Sequence, residues 1–476
     1  MSFKKTFYKS VSTFAVYNYL AQALEFFSTI ILSRLLLPEE YGFVAIIHIF
    51  ASFIRLFSNV GIGHSLVRSD YGYTFHKLLY SLSVWMGFAL SAILMLLAYP
   101  IGVFFDNMAL VIPTLVISIK FIFDSLLYIP FAILSKALNF NLIGKIRLWG
   151  TFIQIIITII MAYLGFSYWS LIIPLIINPI IQYALLKKYV QMPLRIYGWK
   201  ATKRTLIIIR SLMGNLSLIN LVAYWTENTD KVLIGKFYSQ ADLGIYNRAF
   251  RFLRLTYQLI AGIFGTVLFP SLKKLMEVKG DVQKEYMDII KVVVLFTLPV
   301  VFVLVLLPET LVLILWGENW TRVAPFLPYI GLMMMFNSLI NTSSSVFILF
   351  KKERVLFYVH LANSLITLSL VVAGALISML HILKFLALGQ ILLTLPIYLY
   401  YGFYKSFGFK PSKILRFFTP AFLFGILLYG AIEYLGWEFR LLVLLGFVVF
   451  LLFELKGPVL QSLLFLRKMV LSMGKR

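Results

Sequence analysis

The side chains of this sequence that could do chemistry are charged groups inside long apolar runs. Three of them, Arg248, Arg251 and Arg254, recur at steps of three, and Arg55 occurs in an earlier run. Each step of three turns an α-helix by ~300°, so the three arginines share a ~120° sector and cover ~9 Å of helix. Such a row can line a cavity for an anionic ligand, because guanidinium groups bind phosphate strongly. It can also form ion pairs with internal carboxylates, and the two interpretations are compatible.

Carboxylates occur in the same surroundings. The stretch LVAYWTENTDKVLIGKF, Leu221–Phe237, contains Glu227, Asp230 and Lys231, and Glu25 stands in the first apolar run. Glu227 and Lys231 have the i,i+4 order that favours an ion pair on a helix. The three carboxylates can pair with the arginines, or take up protons where burial favours their neutral form. We therefore predict that they are ion-pair or ion-coupling groups, and that Lys231 joins the cations that bind the ligand.

Other charges near the apolar runs have simpler interpretations. Lys120 and Asp124 are an i,i+4 pair, for which we predict a structural bridge, with a role in ion coupling or ligand contact as the alternative. Arg34, Arg210 and Lys291 lie near the ends of apolar runs. Long cationic side chains at such positions can reach the headgroup layer, and we predict that these three do so.

The composition argues against several kinds of site. The chain has no cysteine, so a disulfide, a thiol nucleophile and a cysteine metal site are excluded. Its five histidines are scattered without metal-ligand spacing, and we expect no metal ion, no cofactor and no catalytic residue. The net charge of +24 would suggest nucleic acid if the cations lay on one soluble face. They are instead dispersed between apolar runs, so no nucleic-acid partner is expected.

The elements that carry these residues are predicted to be membrane-spanning helices. The chain is 61% hydrophobic and 13% charged, with a mean hydropathy of +0.92, whereas soluble proteins carry about 25% charged residues. A helix needs ~20 mostly apolar residues to cross the hydrocarbon layer. We predict an all-α polytopic membrane protein of about fourteen spans. They lie near residues 11–36, 42–66, 78–104, 109–133, 148–164, 168–186, 205–235, 243–271, 286–307, 323–350, 355–377, 382–404, 414–432 and 439–455.

The distribution of Lys and Arg between the loops predicts the orientation. Cytoplasmic loops collect these residues, and the alternation fits if both termini are cytoplasmic. The cytoplasmic segments then hold thirty loop cations, whereas the opposite loops hold four, which are Lys236, Arg322, Lys384 and Arg440. The last segment, residues 459–476, is basic and amphipathic, and we expect it to lie on the inner membrane surface.

An internal repeat becomes visible when the chain is aligned with itself so that the start of span 1 meets the start of span 7. Six spans separate the two starts, so both halves enter the membrane from the same side. We predict two pseudo-symmetric six-helix bundles, 1–190 and 205–404, joined by a basic linker, 191–204, and followed by spans 13 and 14 within 405–458. The matched pairs, all at one constant offset, are Asn18 with Asn220, Ala21 with Ala223, Glu25 with Glu227, Arg34 with Lys236, Gly42 with Gly244, Gly63 with Gly265, and Leu66 with Leu268.

Five motifs of this chain are similar to those of a known family. They are LSRLLLPEEYGFVAI from Leu32, IPFAILSKALNF from Ile129, NTDKVLIGKFYSQADLGIYNRAF from Asn228, TVLFPSLKKL from Thr266 and ILWGENW from Ile314. On these motifs the chain resembles the oligosaccharide flippase, or polysaccharide transporter, family of the multidrug/oligosaccharidyl-lipid/polysaccharide exporter superfamily. Within that family it looks most like exporters of the colanic-acid and teichuronic-acid type. The motifs are specific to the family and not to a substrate.

The resemblance implies a twelve-helix core of two bundles that works by alternating access in the bacterial cytoplasmic membrane. The implied substrate is a polyprenyl-diphosphate-linked oligosaccharide, such as an O-antigen or exopolysaccharide repeat unit. Membrane lipid, and a polysaccharide polymerase or other assembly proteins, are the further candidate partners. The cations predicted to bind the diphosphate in a central cavity are Arg55, Arg248, Arg251, Arg254 and Lys231.

Two other functions remain open at the level of the sequence. A drug or organic-ion exporter of the same superfamily needs an acidic and aromatic site, whereas the membrane-depth charges here are mostly basic. A membrane-embedded polysaccharide polymerase needs catalytic groups, which are typically held in an extended loop. The outer loops here are short and lack paired carboxylates with a base beside them. A flippase that is not an enzyme is therefore the prediction.

Overall fold

The fold is built from helices alone in the part of the chain that the structure, a computed structural model, describes. That part comprises residues 3–58, 73–189, 196–199, 202, 203, 205, 221, 224–264, 268–340 and 343–454. No strand occurs among these residues, and the all-α prediction is confirmed. The predicted tail, 459–476, and most of the predicted linker, 191–204, lie outside the described residues, as do Arg210 and the repeat pair of Gly63 and Gly265.

The helices follow the predicted spans from end to end. Those that precede residue 265 are α1 Phe3–Leu35, α2 Pro38–Arg55, α3 Tyr73–Phe104, α4 Met108–Lys136, α5 Phe140–Tyr163, α6 Trp169–Tyr189, α7 at 224–237 and α8 Gln240–Phe264. The others are α9 Leu268–Glu277, α10 Val282–Leu306, α11 Pro308–Leu315, α12 Leu327–Ile340, α13 Ser343–Leu349, α14 Glu353–Ala375, α15 Met379–Ser406, α16 Pro411–Tyr434 and α17 Trp437–Glu454. A 3-10 segment, Glu318–Phe326, leads into α12.

Eight of the described helices are long and apolar enough to cross a membrane: α3, α4, α5, α6, α10, α14, α15 and α16. The other six predicted spans also fall on helices, but these carry more charge, are interrupted, or extend beyond the described residues. For example, α8 contains three arginines and an aspartate. The multi-span membrane fold is therefore confirmed, and the count of fourteen remains a prediction that is compatible with it.

Contacts between residues divide the chain into two units, 1–244 and 245–476. In the first unit α3 packs on α4, α5 packs on α6, and α4 packs on α6. In the second unit α10 packs on α12, α14 packs on α15, and α12 packs on α15. These helices are the third, fourth, fifth and sixth members of each predicted repeat. The same three pairings thus occur in both repeats, as the internal symmetry requires. The predicted bundle boundary at 191–204 differs from the division at 244 and stays a prediction.

The repeat is also visible in how two helices begin. The backbone N–H of Leu37 donates to Glu40 Oε2 at 2.7 Å, which caps the start of α2. At the corresponding position before α8, the N–H of Ser239 donates to Asp242 Oδ2 at 3.2 Å. A carboxylate three residues after the cap satisfies an N–H that the helix leaves unpaired. The two caps occupy matching positions of the repeat. Their residues differ in type, since Ser239 corresponds to Leu37 and Asp242 corresponds to Glu40.

Two repeat-related glycines lie where these helix starts meet. A Cβ built on Gly42 would stand 1.7 Å from the carbonyl oxygen of Gln240, and one built on Gly244 would stand 2.0 Å from that of Pro38. Pro38 and Gln240 are themselves related by the offset of the repeat, so the contact is reciprocal, as for segments related by a two-fold rotation. Only glycine leaves room for the two backbones to come this close.

The two helices after the repeat contact the rest of the second unit through partly buried polar groups. Lys384 Nζ in α15 lies 2.6 Å from Glu433 Oε2 in α16, and Tyr329 Oη in α12 donates to Glu433 Oε1 at 2.7 Å. Lys384 was expected in an outer loop, but it lies in the second turn of α15, where it can reach the neighbouring helix. Helix α17 packs on both α16 and α10.

Candidate functional site

Arg55 is the last residue of α2. The helix begins with Pro38, whose fixed φ suits a first helical position, and two glutamates stabilise its N-terminal end. Buried aliphatic residues then recur along it, and the Arg55 side chain is exposed. Within the described part of the chain, no carboxylate forms an ion pair with its guanidinium group. Arg55 is therefore a cation that remains available to a ligand.

Helix α4 contributes a second cation beside Arg55. Lys120 Nζ forms an ion pair with Asp124 Oδ2, one turn further on, as the i,i+4 spacing predicts. One turn beyond that pair, Tyr128 Oη donates to Ser58 Oγ at 2.9 Å and ties α4 to the end of α2. Both Lys120 and Tyr128 interact electrostatically with Arg55. The structure thus brings two of the predicted candidate groups, Arg55 and Lys120–Asp124, into one polar cluster.

Helix α7 completes this polar cluster of the first unit. Tyr224 Oη donates to the backbone carbonyl of Ile49 in α2, and the rings of Tyr224 and Trp225 pack on Phe53 with centroids 5.7 and 5.2 Å apart. Tyr224 also interacts electrostatically with Arg55 and with Glu227, whose side chain is exposed. Three helices therefore converge on Arg55.

The members of the cluster lie at one depth in the predicted membrane. Arg55, Lys120 and Tyr224 each lie about three helical turns from the predicted outer end of their span, which is ~16–20 Å at ~1.5 Å per residue. That depth is near the middle of a hydrocarbon layer ~30 Å thick. A mid-membrane cation is expensive and usually functional. Sequence reasoning had singled out the charged members but not the tyrosines, which have no signal beyond their spacing on α4 and α7.

The charges at the outer part of α7 are arranged differently from the prediction. Lys231 Nζ donates to the backbone carbonyl of Glu227 at 2.9 Å and to Asn228 Oδ1 at 2.7 Å, rather than to the Glu227 carboxylate. Asp230 is buried, and its Oδ1 accepts the N–H of Lys231. Glu25, the repeat partner of Glu227, is likewise exposed on α1. Whether these groups contact a ligand or couple an ion stays a prediction.

In the second unit, the arginine row of α8 has two environments. Arg248 is only 4% exposed, and its guanidinium carbon lies 5.2 Å from the ring centroid of Trp316 and 4.5 Å from that of Trp320. Guanidinium groups are stabilised on the faces of indole rings. Arg251 is half-buried and Arg254 is exposed. The three arginines are therefore not equivalent: Arg248 is buried against two indole rings, whereas the side chain of Arg254 is exposed.

The motif ILWGENW supplies both of the tryptophans that pack against Arg248. Gly317 between them has a φ of +86°, which favours glycine and lets the chain turn between Trp316 and Trp320. The motif identified the family in the sequence, but nothing there linked it to Arg248, which lies far earlier in the chain. That link is a tertiary contact.

Replacing Trp320 by Leu is expected to destabilise the protein by ~3 kcal/mol, because it leaves a cavity and removes a desolvated cation–π contact. Thermal unfolding in detergent would measure the loss. Trp437→Leu is the control, since that indole is 59% exposed. In a double-mutant cycle with Arg248→Met, we expect the two residues to be coupled by ~1–2 kcal/mol. Additive effects of the two substitutions would contradict the contact.

The sequence does not predict one ion network, in which Lys291, Asp288 and Glu454 are largely buried and Arg416 is exposed. Lys291 Nζ lies 3.2 Å from Glu454 Oε2 and 3.7 Å from Asp288 Oδ1, and Arg416 Nε lies 3.1 Å from Glu454 Oε1. The prediction that Lys291 reaches the headgroups is therefore wrong, because a carboxylate from α17 meets it inside the unit. The i,i+3 spacing of Asp288 and Lys291 was the available local signal. The described residues also contain no group of three or more side chains suited to a metal ion.

The fold and the site define a class: a multi-span, all-helical membrane protein with a duplicated helix arrangement and a cation near the middle of the membrane. The chain belongs to the polysaccharide biosynthesis protein family, whose family model matches residues 31–325. The resemblance inferred from its motifs is thereby confirmed.

Two curated relatives illustrate the family. The succinoglycan biosynthesis transport protein ExoT of Rhizobium meliloti (strain 1021) is 25% identical over 364 residues, covering 74% of this chain and 71% of that protein. The teichuronic acid biosynthesis protein TuaB of Bacillus subtilis (strain 168) is 23% identical over 319 residues, covering 64% of this chain and 63% of that protein. The matches thus span 71% of ExoT and 63% of TuaB, and both proteins are named for the biosynthesis of a polysaccharide.

A solved structure gives the same fold. The lipid II flippase MurJ, in an inward closed conformation, superposes with a TM-score of 0.69 over 96% of this chain and 99% of that chain. The sequence identity is 17%, so this similarity establishes the architecture and not the substrate. It extends to the last helices, α16 and α17, because it covers nearly the whole of both chains.

Proposed function

We propose that this protein is a flippase that moves a polyprenyl-diphosphate-linked oligosaccharide across the cytoplasmic membrane, with both of its own termini on the cytoplasmic side. Its membership of the polysaccharide biosynthesis family supports the class of substrate. ExoT is named a transport protein and MurJ a flippase, which supports transport of a lipid-linked sugar. The protein has no enzymatic step in this proposal.

The observation that carries the proposal is the Arg55 guanidinium, which forms no ion pair with the described residues and lies near the midplane of the predicted membrane. A diphosphate needs cations that are not already neutralised, and a guanidinium group can bind two phosphate oxygens at once. The neighbouring Lys120 is paired with Asp124, so this pair is neutral overall and the net positive charge of the three groups comes from Arg55. The hydroxyl groups of Tyr128 and Tyr224 donate their protons to Ser58 and Ile49, and their oxygens can still accept a hydrogen bond from a sugar hydroxyl.

Other predicted site residues have graded roles in this proposal. Arg254 and Arg251 are the candidates for phosphate contact from the second unit, since neither is fully buried. Arg248 acts as a positioning residue, because its guanidinium packs on Trp316 and Trp320. Lys231 can still meet an anion, and Glu25, Glu227 and Asp230 are the candidates for coupling to an ion gradient. The repeat suggests that the lipid-linked oligosaccharide is moved across the membrane by alternating access.

The competing function is export of a drug or organic cation. The charge of the first unit's cluster argues against it, because Arg55, which forms no ion pair with the described residues, would repel an organic cation. A polymerase is less well supported still. ExoT is named a transport protein, which supports transport rather than polymerisation. A polymerase would also need a base and a carboxylate presented together to a sugar.

Purified protein in liposomes tests the proposal. A fluorescent polyprenyl-diphosphate oligosaccharide is placed in both leaflets, and a membrane-impermeant quencher reports how much of it becomes accessible. We expect rapid exchange between leaflets with the protein and slow exchange in empty liposomes. A labelled polyprenyl alcohol without diphosphate is the substrate control and is expected to exchange no faster than in empty liposomes. Transport of organic cations without movement of the glycolipid would overturn the proposal in favour of the exporter.

A further inference from the structure

The second unit contains a cavity that the proposed transport site does not use. Its volume is about 710 Å³, within the range of roughly 300–1,000 Å³ that is usual for ligand pockets. It lies where α10 and α16 begin and where α17 ends. In the proposed orientation these three ends face the cytoplasm. Eight charged side chains line the cavity, four of each sign.

The floor of the cavity is the buried ion network of Lys291. Lys291 and Arg416 balance the charges of Asp288 and Glu454, so the floor is neutral without a ligand. Lys291 and Asp288 are both 9% exposed. The network links the end of α17 to α10 and to the exposed Arg416 of α16.

The charged residues at the rim of the cavity are not part of this ion network. Lys284, Glu285 and Lys413 are exposed, and within the described residues their side chains form no ion pair. Asp281 Oδ1 accepts the N–H of Lys284 and caps α10, which leaves its second oxygen open. The rim thus offers two ammonium groups and two carboxylates, and its net charge is zero.

Apolar side chains line the cavity between rim and floor, namely Leu275, Met287, Phe409 and Phe417. From Asp281 to Lys291 the cavity follows the first turns of α10, a length of ~15 Å at ~1.5 Å per residue. The headgroup layer on one side of a membrane is only ~5–8 Å thick. The cavity is therefore polar at the headgroup level and becomes partly apolar at the level of the glycerol backbone and first methylenes.

We propose that this cavity binds a phospholipid whose headgroup carries both a phosphate and a primary ammonium group, as phosphatidylethanolamine does. The phosphate is held by Lys284 and Lys413, and the ammonium group by Glu285 and the open oxygen of Asp281. The glycerol region lies against Phe417 and Met287. The binding does not depend on transport, so it can be tested apart from the proposed function.

The charge balance selects this lipid class over others. An anionic headgroup without an ammonium group would leave the two rim carboxylates unpaired and close to a phosphate. A choline headgroup has the same net charge, but its quaternary nitrogen has no N–H donors for the carboxylates. A primary ammonium group has three donors. Selectivity between ethanolamine and choline lipids with identical acyl chains is therefore the signature of the site.

Native mass spectrometry of the purified full-length protein tests the proposal, with each lipid added singly at matched concentration. The three lipids are phosphatidylethanolamine, phosphatidylcholine and the anionic phosphatidylglycerol. We expect phosphatidylethanolamine to bind about tenfold more tightly than either of the other two, which is the usual effect of charge-assisted hydrogen bonds. The double variant Lys284→Gln/Lys413→Gln is expected to lose that binding. Glu285→Gln is expected to keep phosphate binding but to lower the preference for ethanolamine over choline.

The control is Lys352→Gln, which removes an exposed lysine of another predicted cytoplasmic loop that does not line the cavity. It should bind the ethanolamine lipid like the unaltered protein. Equal binding of the three lipids, preference for the anionic lipid, or an unchanged affinity in the double lysine variant would each overturn the proposal. A protein that flips no glycolipid but retains selective ethanolamine binding would refute the proposed function and leave this site standing.

Discussion

Substituting Arg55 by glutamate is expected to lower the rate of glycolipid flipping by about 100-fold or more, because losing a desolvated charge pair costs roughly 2–5 kcal/mol and the new carboxylate repels the diphosphate. Arg55→Lys keeps the charge but loses the two-pronged hydrogen bonding, and we expect a loss of about tenfold. The liposome assay measures both variants on the same labelled substrate.

The matched control for Arg55 is Arg354→Glu, which makes the same charge change at an exposed position of a predicted cytoplasmic loop. Flipping should be nearly unaffected there. Thermal unfolding of all three variants separates transport from folding, since the exposed side chain of Arg55 makes no ion pair in the described structure whose loss would unfold it. If Arg55→Glu flips the glycolipid at the rate of Arg354→Glu, Arg55 does not bind the diphosphate.

Substituting Gly42 by alanine is expected to destabilise the protein by ~1–3 kcal/mol, the usual range for overpacking. A Cβ at this position would lie 1.7 Å from a backbone oxygen and 2.6 Å from a backbone carbon of Gln240. Backbone cannot rotate away as a side chain can, so the starts of α2 and α8 must separate. Gly244→Ala should behave alike because the contact is reciprocal. Thermal unfolding in detergent is the measurement.

The control for the glycine contact is Gly430→Ala in α16. Nothing lies within 4 Å of a Cβ at that position, and alanine favours a helix over glycine by up to about 1 kcal/mol. This variant is expected to unfold at the same temperature or slightly higher. Similar unfolding temperatures for Gly42→Ala and Gly430→Ala would show that the helix starts are not in close contact.

Much of the architecture could be predicted because its causes are local. Hydropathy averaged over the length of one span locates that span wherever it occurs, and helices were found on every predicted span. The repeat was detectable because Gly42 and Gly244 keep one residue type where two backbones touch. The matching helix caps are harder to predict, because Glu40 and Asp242 are different residue types that accept the same kind of backbone N–H hydrogen bond.

The partners of the buried charges could not be predicted in the same way. Lys291 and Glu454 are 163 positions apart, and no pattern within either helix shows that they meet. The same is true of Arg248 and the two tryptophans. Sequence reasoning placed Lys291 in the headgroups because a cation without a known partner is cheapest there. The Lys120–Asp124 bridge was predicted because both partners lie on one helix, where spacing alone fixes their distance.

The last two helices, α16 and α17, form ion pairs with helices of the repeat they follow. Glu433 and Glu454, one at each end of this helical pair, neutralise lysines that belong to α15 and α10. Without these two helices, Lys384 would lose its ion pair with Glu433, and Lys291 would lose Glu454 and keep Asp288 as its partner among the described residues. The last two helices therefore supply carboxylates to two lysines of the repeat that precedes them.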